Sequence, residues 1–100
     1  MKGFEVVTIC GSMRYFDRMI EVANTLSAEG KIVLMPFVAV IKPEDQENNP
    51  LKKMLDRMHF AKIDMSSAIV VVGDYTGFST NREIEYAEST GKEIWRISLS

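Results

Sequence analysis

The run AIVVV, Ala68 to Val72, constrains the fold more than any other part of this chain. All of it is apolar and most of it β-branched, and Gly73 ends it. It is far short of the ~18 residues that a membrane-crossing helix needs. It also lacks the polar alternation of a strand with one wet face. It therefore reads as a strand covered on both sides, the kind found in parallel sheets. Three other stretches have strand character. FEVVTIC, Phe4 to Cys10, stops at Gly11; KIVLMPF carries Pro36 near its end, where a missing donor does least harm; EIWRIS comes last.

Helical periodicity fills the intervals. From Met13 to Glu29, residues Phe16, Met19, Ile20, Ala23 and Leu26 recur at steps of three and four, and Gly30 follows the last turn. From Leu51 to Met65 the apolar positions are Leu51, Met54, Leu55, Met58, Ala61, Ile63 and Met65, and a third helix is expected from about Thr80 to Thr90, ended by Gly91. Strand and helix thus alternate through the chain. Repeated βαβ units demand right-handed crossovers and a parallel sheet with helices on both faces. The expectation is one α/β domain, residues 1–100: a three-layer Rossmann-like fold with four strands in the order 2-1-3-4. Ligands of such sheets bind at the carboxyl ends of strands 1 and 3, where the order reverses. The acidic, proline-containing stretch IKPEDQENNP, within Val38 to Pro50, reads as a surface loop and a candidate lid.

Charge narrows the partners. Twelve basic against fourteen acidic residues leave a net charge of -2, and no basic cluster exceeds Lys52-Lys53, which argues against a nucleic-acid surface and for a small-molecule partner. One cysteine and one histidine give no disulfide and no structural zinc spacing, so neither a metal nor a cofactor is expected. Without a signal-peptide pattern or a long apolar run, a cytoplasmic protein with no membrane segment is expected.

Two loops reach the switch point: CGSMR and GDYTGFSTN. In the first, Gly11 permits close approach, Ser12 offers a hydroxyl or a helix cap, and Arg14 can fork onto a phosphate or carboxylate. Tyr15 reads equally as pocket wall or helix surface, and Cys10 as an inert core thiol. In the second, Tyr75 and Phe78 flank Gly77 and could stack a base or cover the core edge. Thr80-x-x-Glu83 has the form of a capping box. A carboxylate in a first helical turn is also held ionised, as a nucleophile requires, so Glu83 can serve both purposes. Glu85 points away from it, toward solvent.

The stretch AIVVVGDYTGFSTNREIEYAESTGKEI resembles the late strand–loop–helix–strand of nucleoside 2-deoxyribosyltransferases and the related deoxynucleoside 5'-monophosphate N-glycosidases. Glu83, Ala87, Gly91 and Lys92 fall into that family's register, and ICGSMRYFD resembles its first strand and glycine-containing loop. The resemblance implies that Glu83 attacks the sugar C1' and forms a covalent glycosyl-enzyme. It implies that Gly11, Ser12, Arg14, Tyr15, Gly77, Ser79 and Thr80 hold a nucleoside or nucleotide. The family's helical Asp, which assists the leaving base, is replaced here by His59, with Asp56 one turn before and Asp64 five residues on. His59 and Asp64 are the candidates for that role, and a non-catalytic nucleotide-binding module is the alternative. Amphipathic helices on a small sheet, together with the family's habit, imply a homo-oligomer.

Overall fold

A computed structural model of the chain describes residues 3–37, 44 and 49–99. Its four strands are β1 (Val6–Cys10), β2 (Ile32–Leu34), β3 (Ala68–Val72) and β4 (Glu93–Ile97). They form one parallel sheet in the order β2-β1-β3-β4. The helices are α1 (Phe16–Ala28), α2 (Pro50–Asp64) and α3 (Phe78–Ser89). The Rossmann-like α/β architecture and the strand order are those expected from the alternation of patterns. Among the described residues, no helix is long and apolar enough to cross a membrane. Most of the candidate lid, 38–43 and 45–48, lies outside the described residues.

The strand β3 is buried along its whole length because successive side chains serve opposite layers. Ala68, Val70 and Val72 join Val7, Ile9 and Met19 in a core under α1, whereas Ile69 and Val71 join Cys10, Ile63, Ile84 and Ala87 under α2 and α3. One polar strand residue is also fully buried. Thr8 meets Ser66 Oγ at 2.6 Å and donates to the Lys62 carbonyl at 3.1 Å, which fastens the end of α2 to β1. A buried hydroxyl with such partners avoids the penalty of an unmade bond.

Several local expectations are corrected. Phe4 lies outside β1 and is exposed. The first helix opens with a 3-10 turn, Met13–Tyr15, capped by Ser12, and its core stripe uses Val22 in place of the exposed Ile20. Ile20 sits one residue past Met19, about 100° around the helix from the buried face. Asn49 caps α2, accepting from the N–H groups of Leu51 and Lys52, with Pro50 at the first helical position. On α2 the buried residues are His59 and Ile63, while Leu51, Met54 and Met58 are exposed, as is Met65 at its C-cap. The helix is thus rotated so that its polar histidine, not its methionines, enters the interior. Finally, α3 starts at Phe78 with Gly77 as its uncapped N-cap. Thr80 is already inside the helix, so there is no Thr80–Glu83 capping box.

Candidate functional site

The carboxyl ends of β1 and β3 open into a crevice of about 380 Å³, at the lower end of the range of small-ligand pockets. The loop after β1 contributes Gly11, Ser12 and Arg14, and the segment into α3 contributes Tyr75 and residues 77–80. The α2 wall supplies Lys52, Asp56, His59 and Lys62, and Glu83 lies at the inner end.

Backbone geometry sets the two loops. Gly11 has φ +146°, and a Cβ there would meet the Val72 carbonyl at 2.7 Å, so no larger residue permits this close approach of β1 and β3. Gly73 has φ +94°, and a Cβ would enter the Tyr15 ring. Tyr15 stands behind the crevice, outside its lining, packed on the α1-side core with its hydroxyl accepting from the Tyr75 N–H at 3.2 Å. Its place is that of a brace between the loops. The Arg14 guanidinium lies 3.8 Å from the Tyr75 ring centroid, a cation–π contact across the crevice mouth. Ser12 Oγ accepts from the Arg14 N–H at 3.3 Å. The first N–H groups of α3 lack intrahelical acceptors and come from residues that line the crevice.

Three side chains from three elements meet at the floor: His59 and Glu83 line the crevice, and Cys10, fully buried and outside the lining, touches His59. Cys10 Sγ, at the end of β1, is 3.5 Å from His59 Nε2 on α2, which is 3.6 Å from Glu83 Oε1 on α3. Burial shapes their charge. It raises Glu83 from 4.5 to about 7, a rise opposed by the hydrogen bond with Cys10. Because α3 begins at Phe78, Glu83 lies in the second turn, beyond most of the dipole's reach, and desolvation prevails. The expected first-turn ionisation is therefore absent. Burial, reinforced by the charge of Lys62, lowers His59 from 6.5 to about 4, so its ring is neutral at pH 7 and its approach to Glu83 is not an ion pair. Burial, then the Glu83 carboxylate, pushes the Cys10 thiol well up. His59 Nδ1 is buried without a hydrogen-bond partner among the described residues.

The cations on the α2 wall are already engaged. Lys52 pairs with Asp56 at 2.9 Å, and Lys62 donates to the Met35 carbonyl at 2.7 Å. Asp64 lies elsewhere: it is exposed, outside the crevice lining, accepting from the Tyr86 hydroxyl at 2.5 Å, because the last turn of α2 has carried it past the wall. Glu85 is exposed. Sequence reasoning overlooked Lys52, Asp56 and Lys62 as wall residues. Their spacing with His59, in steps of three and four, was the available signal, masked by the methionine pattern on the adjoining face. Compared with known proteins, the chain matches no protein-family model and no curated protein.

Proposed function

We propose that the crevice binds a deoxynucleoside or deoxynucleoside 5'-monophosphate and that Glu83 cleaves its N-glycosidic bond. The observation that carries this reading is the position of Glu83, a largely but not fully buried carboxylate lining a crevice framed by both switch-point loops. Arg14, Ser12 and the start of α3 offer donors for the phosphate or sugar at the mouth. In the first step a Glu83 oxygen bonds to C1' as the C1'–N bond breaks, and the electron pair leaves with the base, which takes its proton from solvent. Water or a second base then displaces the carboxylate. His59, neutral and 3.6 Å from Glu83, walls the carboxyl group without pairing its charge; Asp64, outside the crevice, has no part in the step.

A second reading is a module that binds the same ligand without cleaving it. It is favoured by the half-protonated state that burial imposes on Glu83 near pH 7. Base release from a panel of deoxynucleosides and their 5'-monophosphates decides between the two. Release by the parent and none by Glu83→Gln supports the enzyme; normal turnover by the variant sinks it. Silence from the parent together with a nucleotide-dependent thermal shift gives the binding module.

The same reading extends to assembly and setting. Leu51, Met54 and Met58 form an exposed apolar stripe on α2, and Met58 continues to Phe37 and Phe78 at the crevice mouth. A second copy covering that stripe makes the protein a homo-oligomer, and a free buried thiol suits the reducing cytoplasm.

A further inference from the structure

We propose that the floor of the crevice is a transition-metal site that takes Zn²⁺ through Cys10 Sγ, His59 Nε2 and Glu83 Oε1, with its fourth position open to the crevice. The three donor atoms all lie within 4.8 Å of one another. Tetrahedral zinc with bonds of about 2.3 Å to sulfur and about 2.1 Å to nitrogen and oxygen sets S···N near ~3.5 Å and N···O near ~3.4 Å. Two of the three sides, 3.5 Å and 3.6 Å, match this geometry; the third, from Cys10 Sγ to the Glu83 carboxylate, lies within 4.8 Å, so the Glu83 side chain closes toward the sulfur as the ion binds.

The donor set selects the ion. Thiolate, imidazole and carboxylate together suit zinc and its neighbours, whereas magnesium and calcium prefer oxygen alone. Three protein ligands with one free position is the pattern of an open site, not of a closed structural one. Binding needs no change of oxidation state. The Cys10 S–H bond breaks, its proton passes to solvent and a sulfur–metal bond forms, while the imidazole lone pair and the Glu83 carboxylate complete the set. Thiolate and carboxylate then balance the two positive charges, so the filled floor carries no net charge into the apolar interior.

Placement on the fold supports the site. Each ligand comes from a different regular element, and Cys10 and His59 are both buried. The ring proton on His59 Nδ1 has no acceptor among the described residues. A zinc histidine without that outer partner is expected to bind roughly 10–100-fold more weakly than one that has it. The site is thus one of moderate affinity. It shares Glu83 with the proposed glycosidic chemistry, so a bound ion blocks the nucleophile and acts as an inhibitor.

The test reads the metal, not turnover, and so stands or falls apart from the glycosidic reading. Metal-free full-length protein is titrated with Co²⁺ under reducing conditions, followed by optical absorption, and then with Zn²⁺ in competition. The expected result is one equivalent of cobalt with tetrahedral d–d bands and a near-ultraviolet thiolate-to-cobalt charge-transfer band, all removed by one equivalent of zinc. Cys10→Ser should lose the charge-transfer band, and both it and His59→Gln should weaken binding at least tenfold. Circular dichroism checks that each variant is folded, and the parent spectrum alone remains decisive if one is not. Weak octahedral spectra, the absence of the charge-transfer band from the parent, or unchanged affinity in a folded Cys10→Ser would overturn the proposal.

Discussion

Glu83→Gln should make the protein more stable, and increasingly so as pH rises. Burial raises the carboxyl from 4.5 to about 7, so the folded state holds its proton more tightly than the unfolded chain does. Between those two values the unfolded state ionises first, and stability falls as pH rises through the folded value. At about 1.36 kcal/mol per pH unit, the rise corresponds to about 3 kcal/mol of lost stability once pH exceeds 7. Roughly 1 kcal/mol is already lost at pH 5, so the swing between pH 5 and pH 8 is about 2.5 kcal/mol. Glutamine retains the shape and never ionises. His59 has the opposite sign: lowered from 6.5 to about 4, it contributes stability that is lost as pH falls through that window. Parent and variant share His59, so its part largely cancels in their difference. Urea unfolding of both proteins at pH 5, 6, 7 and 8 measures that difference. The variant's advantage should grow by about 2.5 kcal/mol, which for a domain of this size shifts Tm by roughly 10 °C or more. A difference that stays constant from pH 5 to pH 8 would refute the claim that burial governs Glu83.

Further outcomes follow from the same geometry. If base release requires ionised Glu83, kcat/KM should fall about tenfold per pH unit below a midpoint near 7, and a flat profile from pH 5 to pH 8 contradicts the nucleophile. Arg14→Ala should weaken a 5'-monophosphate about tenfold or more while leaving the parent nucleoside little changed; equal losses for both, read by calorimetry, would remove the anion role. Gly73→Ala should destabilise the fold by roughly 2 kcal/mol or more, because its left-handed backbone and the Tyr15 ring both resist a Cβ; thermal unfolding near the parent value would contradict this.

The sheet was readable from the sequence because a strand with no polar face has few places to go. AIVVV had to be central, and Gly11 and Gly73 marked where β1 and β3 give way to loops. The start of α3 was not readable. Thr80-x-x-Glu83 satisfies the local capping rule, yet the helix begins earlier, at an exposed Phe78 behind a glycine with no side chain to announce it. The rotation of α2 was hidden for a different reason. Its methionines imitate a core stripe, and only the packing of Ile63 beneath the sheet turns His59 inward. The meeting of Cys10, His59 and Glu83 is wholly tertiary: no spacing along the chain foretells it. Gly11, Ser12, Arg14, Gly77, Ser79 and Thr80 share the crevice wall, whereas Tyr15 and Asp64 stand outside it.

Tyr15 gives the two rims of the crevice a common linkage. Its ring closes over Gly73, its hydroxyl grips the main chain at Tyr75, and the neighbouring Arg14 rests on the Tyr75 ring. One rim therefore shifts relative to the other only by breaking the Tyr15–Tyr75 hydrogen bond and the Arg14–Tyr75 contact. A molecule held at once by Arg14 and the start of α3 would add a third link to these two.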